Sequence, residues 1–132
     1  MEFFYLFILM ILIAVPVYGG ICYADFMICV FRLQNLLNEK GIKNELKLIQ
    51  NESLISRARN GFVSMFMSNP IYTHLLFLDS DLIFNAETII KMILQKKPIV
   101  GASYPKKSLN WNKIKHFSDC EVNELEARAT DM

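Results

Sequence analysis

"THLLFLDSDLIF", Thr73 to Phe84, decides how the rest of the chain is read. Its first half, Thr73 to Leu78, is a continuously apolar run, the kind that forms a strand covered on both faces. Its second half sets Asp79 and Asp81 on either side of Ser80. Two carboxylates that close repel each other unless water, a cation or hydrogen-bond donors offset their charge. A strand that only packs a core has no use for them. The stretch therefore predicts a buried strand that ends at a functional edge.

The segments on either side alternate between helix and strand patterns. Upstream, Ser53 to Ser68 reads as an amphipathic helix. At 100° per residue, Leu54, Ile55, Ala58, Phe62, Met65 and Phe66 share the face expected to pack on the sheet, while Ser53, Arg57, Asn60 and Ser64 share the other and Arg59 lies near the boundary. Before it, Lys43 to Gln50 alternates Leu46 and Leu48 with Glu45 and Lys47, the pattern of a half-exposed strand. Ile21 to Lys40 carries Tyr23, Phe26, Met27, Val30, Leu33 and Leu37 at helical spacing, and Gly41 stands where a C-terminal cap belongs. "MILIAV", Met10 to Val15, is expected as a buried first strand, followed by the turn "PVYGG", Pro16 to Gly20. Downstream, Asn85 can cap a third helix through about Lys96, and "PIVGAS", Pro98 to Ser103, is expected as a fourth strand.

The order β-α-β-α-β-α-β predicts an α/β, Rossmann-like fold, a mostly parallel sheet with helices on both faces. Ligands of such sheets bind beyond the carboxyl ends of the strands. "PVYGG", "NESLISRARN" and "DSD" follow strands one, two and three, so all three are expected on one rim.

Composition sets the outer bounds. The chain has 132 residues, enough for one domain with a real core. Its net charge of +1 gives no global signal for nucleic acid, which is not expected as a partner. Hydrophobic residues make up 53%, and much of the excess lies in Phe3 to Tyr18. That run is shorter than the roughly 20 residues a membrane helix needs. Glu2 in place of a basic flank, with no A-x-A-like site, does not suit a signal peptide. Phe3 to Leu9 then extends the first strand or contacts a membrane, and the location expected is the cytoplasm, with membrane association through residues 3–18 left open. Cys22, Cys29 and Cys120 form neither a disulfide framework nor a C-x-x-C zinc pattern. The expected division is an apolar extension over 1–9, a ligand-binding domain over 10–114 and a polar tail over 115–132.

At the rim the residue types point to an anionic ligand. With Ser80 alone between them, Asp79 and Asp81 can grip a hard divalent cation, Mn²⁺ or Mg²⁺, directly or through water, leaving positions open for diphosphate oxygens. Arg57, Arg59 and Asn60 lie near the start of their helix; an arginine there meets an anion, and an Asn both donates to and accepts from a base or ribose. Each feature alone has an ordinary alternative, a capping aspartate or a solvated helix face. Their shared position gives them weight.

Taken together, "AVPVYGG", "NESLISRARNGFVSMF", "THLLFLDSDLIF" and "IVGASYPKK" with the following Asn110-Trp111 resemble the donor-binding half of a GT-A-fold nucleotide-sugar glycosyltransferase. The resemblance covers about Ile11 to Ile114. It is to family-2-like enzymes of large viruses and phages, and more distantly to fungal mannosyltransferases. It implies a donor of the UDP- or GDP-sugar type, an unknown glycan, protein or lipid acceptor, and Mn²⁺ or Mg²⁺ on a D-x-D motif made by Asp79 and Asp81. It further implies that Pro16, Val17 and Tyr18 line the base and ribose, that Arg59 and Asn60, with Arg57, hold the donor, and that Ser80 belongs to the same site. Tyr104, Lys106 and Lys107 would approach the sugar or acceptor, or form a solvated loop.

The chain departs from that family after its fourth strand. Complete enzymes continue into a half that supplies acceptor contacts, a catalytic base and often a histidine ligand, so the resemblance implies a truncated C-terminal half and assigns no catalytic base. His116 can stand in for that ligand or lie on the surface, and His74 is expected as a packed, hydrogen-bonded residue inside its strand. Two rivals remain at this level. A haloacid-dehalogenase-like phosphatase has D-x-D after its first strand and a Thr or Val two residues further on, where this chain has Ile83 after the third. A non-catalytic nucleotide-sugar-binding remnant or accessory module would explain the missing acceptor half.

Overall fold

The structure is a computed structural model in which residues 8–104 are described. The chain divides into two units, Met1–Lys97 and Pro98–Met132, and every regular element described belongs to the first. Strand β1 spans Met10–Val17, β2 Lys43–Gln50 and β3 His74–Phe77; helix α1 spans Ala24–Glu39, α2 Ile55–Ser68 and α3 Ala86–Leu94. The three strands form one parallel sheet in the order β2-β1-β3. The α/β class, the parallel sheet and the order of the first six elements follow the sequence pattern, and the architecture is compatible with a Rossmann-like fold.

Central position explains the composition of β1. Leu12, Ile13, Ala14 and Val15 are completely buried, as expected of a strand with neighbours on both edges and helices over both faces. Side chains alternate between faces. Ile11, Ile13, Val15 and Val17 pack with Phe26, Val30, Leu33 and Leu37 of α1 and with Ile89 and Ile90 of α3. The opposite face, carrying Ala14, meets α2 through Phe62, which contacts Phe77 of β3 edge to face. Ala14 is small where α2 lies close. Gly61 of that helix approaches β2 so tightly that a Cβ there would stand 3.0 Å from Ile49 Cδ1.

The expected turn at Pro16 begins later than its sequence suggests. β1 runs through Pro16 to Val17. Ala14 accepts a bond from the Leu78 N–H, so in this parallel ladder the polar groups of residue 16 turn to the same side, beyond the last β3 partner. A proline there has no N–H to offer β3, and the β1–β3 ladder stops while β1 continues against β2 to Val17. The chain then turns through Tyr18–Gly20, where Gly19 and Gly20 both have φ of 70°, a region closed to most side chains.

Other expectations need correction. Tyr23 precedes α1 in extended conformation and is exposed, because the N-terminal end of the helix has already left the sheet. Cys29 takes the buried place instead. In α2 only Ala58 and Phe62 are fully buried; Ile55 and Met65, and Leu54 just before the helix, were assigned to the packed face and are exposed, because the three strands beneath give the helix only a narrow face to cover. β3 is half-buried rather than covered throughout. The stretch 98–103 forms no strand: Ile99 is 90% exposed, and Pro98 and Gly101 leave too short an apolar run to hold one. The extension before residue 8, Lys106, Lys107, His116, Cys120 and the polar tail lie outside the described residues. Among the described residues no helix is long and apolar enough to cross a membrane.

Candidate functional site at the carboxyl edge of the sheet

Three parallel strands put their carboxyl ends on one edge, and the segments that leave them diverge. β1 hands the chain to α1 on one face and β2 to α2 on the other. In α/β sheets, ligands are held where adjacent connections part in this way.

Each connecting segment is fixed by local bonds. After β3, Leu78 is buried and anchors the tip, and the Leu82 N–H donates to the Asp79 carbonyl at 3.2 Å, closing a tight turn over Asp79-Ser80-Asp81-Leu82. Both D-x-D carboxylates therefore belong to one turn at the edge. The Ser80 carbonyl accepts from the Tyr23 N–H at 3.3 Å, which ties that turn to the segment leaving β1. Ser80 thus contributes through its backbone. After β2, Asn51 adopts a positive φ, a conformation Asn tolerates better than most residues. Glu52 then braces the entry to α2: its Oε1 accepts from the Leu54 N–H at 3.1 Å and its Oε2 lies 3.4 Å from Arg57 Nη1. A carboxylate at a helix N-terminus also complements the helix dipole.

The two arginines separate in role. Arg57 is largely exposed and paired with Glu52 on its own segment. Arg59 reaches across to β3, where Nη2 stands 3.1 Å from Asp79 Oδ1, with the side chains 45% and 30% exposed. Its guanidinium also lies 5.9 Å from the centre of the Phe77 ring, within cation–π range. Phe77 in turn meets the buried Phe62. A connected line therefore runs from the core through two rings to Arg59 and Asp79. Asn60, one residue on, is exposed.

The first segment divides as well. Val17 turns its side chain into the core and can meet a ligand only through its backbone, whereas Pro16 is half-buried and Tyr18 exposed. Ile21 and Tyr23, which the sequence pattern assigned to the helix, are exposed in the same segment. Their apolar character reads equally well as helix core, and only the late start of α1 separates the two. Phe77 and Glu52 were missed for a similar reason: a strand aromatic and a loop carboxylate carry no motif. Tyr104 is exposed and belongs to the second unit.

The donor set suits a hard cation in part. Asp79 and Asp81 supply carboxylate oxygens, the ligand type Mg²⁺ and Mn²⁺ prefer. Among the described residues no three His, Cys, Asp or Glu side chains gather into a metal cage. Two carboxylates leave most of a six-coordinate shell to water and ligand oxygens, which is the arrangement of cations carried on phosphates. No family model, curated protein or solved structure matches this chain.

Proposed function

We propose that the chain is the donor-binding part of a GT-A-type glycosyltransferase, which moves a sugar from a nucleoside diphosphate to an acceptor. The observation that carries this reading is the contact of Arg59 with Asp79. It brings a cationic fork from the segment after β2 to the carboxylate turn after β3, while the Tyr23–Ser80 bond brings in the segment after β1. Cation, carboxylates and exposed aromatic rings then share one edge, as a sugar nucleotide requires.

In this reading Tyr18 and the backbone of Pro16 and Val17 face the nucleoside, and Tyr18 offers a ring on which a base can stack. Arg59 donates to the diphosphate, a pairing for which its planar fork is suited. Asn60 supplies one donor and one acceptor beside it. Arg57, paired with Glu52 at the start of α2, adds a second positive charge on the donor's side of the helix. Asp79 and Asp81 would hold Mn²⁺ or Mg²⁺, whose chemistry is to offset the charge that grows on the leaving diphosphate. Acceptor and catalytic base are assigned to no described residue.

The test is release of UDP or GDP from a panel of sugar nucleotides in the presence of Mn²⁺, beside Asp79→Ala. Metal-dependent release that falls at least about a hundredfold in the variant is expected for loss of an electrostatic stabiliser of the leaving group. Tight nucleotide binding with no release from any donor would instead identify a nucleotide-sugar-binding module without turnover.

A further inference from the structure

The geometry of Arg59 assigns it a second task, which rests on the reading of the edge as a metal–diphosphate site: we infer that Arg59 is the residue that couples the cation to the nucleotide. Its guanidinium contacts Asp79 Oδ1, the same carboxylate a cation would use. A dication on Asp79 and a guanidinium 3.1 Å from one of its oxygens repel each other. The repulsion is relieved when the guanidinium finds another anion, and the diphosphate is that anion.

Arg59 is placed to make the exchange. Phe77 supports the guanidinium from its ring, and Phe62, fully buried, supports Phe77. The contact with the ring does not depend on Asp79, so Arg59 can change its anionic partner while keeping its seat. Both partners of the ion pair are partly exposed, which makes the pair weak enough to exchange. Arg57 is paired instead with Glu52 of its own segment and makes no contact with Asp79 that would set it against a cation there.

The consequence is a penalty on the cation that the diphosphate removes. Arg59 opposes the cation when the cation arrives alone and ceases to oppose it when the diphosphate comes with it. Coupling of this kind is reciprocal, so the cation raises nucleotide affinity by the same factor. A residue that merely braced Asp79 would favour the cation in both cases, by keeping the carboxylate in place.

The experiment is calorimetric titration of the full chain with Mn²⁺, alone and in saturating UDP or GDP, for wild type, Arg59→Gln and Arg59→Lys. In the wild type the nucleotide is expected to raise Mn²⁺ affinity about tenfold or more, within the usual range of coupling between sites. Arg59→Gln removes the charge: Mn²⁺ alone should bind about threefold to fivefold tighter, the scale of an exposed ion pair, while the nucleotide's effect shrinks. Arg59→Lys keeps the charge and should leave the affinity for Mn²⁺ alone near the wild-type value, which separates charge from loss of packing on Phe77. If Mn²⁺ and nucleotide bind together but Arg59→Gln takes up Mn²⁺ no more tightly than wild type, the coupling role is overturned and the donor site stands. If wild type binds neither, both readings are overturned.

Discussion

Asp79 and Asp81 hold the most chemistry per residue in the chain, yet their neighbours determine how they can be used. Asp79 is reached by an arginine that is itself seated on a core-supported ring, and Asp81 shares the same closed turn. At the other end of β3, His74 shows how the strand treats a titratable group. Its Nδ1 lies 3.0 Å from Thr73 Oγ1, a hydroxyl that also bonds to Met10 of β1. Burial holds the imidazole below its ordinary pKa of 6.5. The unfolded chain therefore takes up a proton near the ordinary value while the folded chain still resists it. Stability contributed by neutral His74 is complete above about pH 6.5 and is lost as pH falls through and below that value. Urea midpoints measured from pH 8 to pH 5 should decline for wild type and decline less for His74→Gln, which keeps a polar group beside Thr73. The chain has two histidines, so the difference between the two profiles isolates His74 from His116. Equal slopes would mean that burial of the ring has no energetic consequence.

At the scale of elements, the helix α2 does two jobs that its sequence shows unequally. Its polar face and its position before an acidic strand end were legible, and so was the convergence of three segments on one edge. Its depth of packing was not. The periodic face from Leu54 to Phe66 implied broad burial, but the contact is confined to Ala58, Phe62 and half-buried Phe66, and Gly61 lies against Ile49. A glycine inside a helix reads as a weak point by propensity alone; here it is the point of nearest approach. That yields a test. Gly61→Ala gains about 1 kcal/mol of helix propensity but sets a methyl group 3.0 Å from Ile49 Cδ1. Ile49→Val removes that δ-carbon at a cost of about 0.5–1.5 kcal/mol. Denaturant midpoints should show the double variant more stable than the sum of the single effects by about 0.5 kcal/mol or more. Strict additivity would show that α2 does not press on β2. Similar reasoning explains why β1 was under-read. Pro16 signals a break in any sequence, and only the direction of its missing N–H, toward β3 and away from β2, lets the strand continue.

For the whole molecule, the parallel sheet and the order of six elements were written in the alternation of apolar runs, because burial of β1 on both faces demands an uninterrupted apolar strand. The fourth strand was not, because "PIVGAS" matches the composition of a strand without the length that would hold one, and residues 98–104 carry no regular element. The candidate site was legible as a set of residue types and illegible as a set of contacts. The sequence marks Arg57, Arg59 and Asn60 alike, and only the fold sends Arg59 to Asp79 and Arg57 to Glu52. Val17, named with Pro16 and Tyr18, proves to be a core residue whose neighbour carries the exposed ring. The central claim is that the carboxyl edge of this sheet is a metal-dependent nucleoside-diphosphate site. Its most direct test is calorimetric titration of the full chain with UDP and with GDP, with and without Mn²⁺, beside an Asp79→Ala/Asp81→Ala variant shown to be folded by circular dichroism. The account predicts binding of one nucleotide that requires Mn²⁺ and is lost in the variant. Binding that ignores both the metal and the two aspartates, or no binding of either nucleotide to the folded wild type, would contradict it.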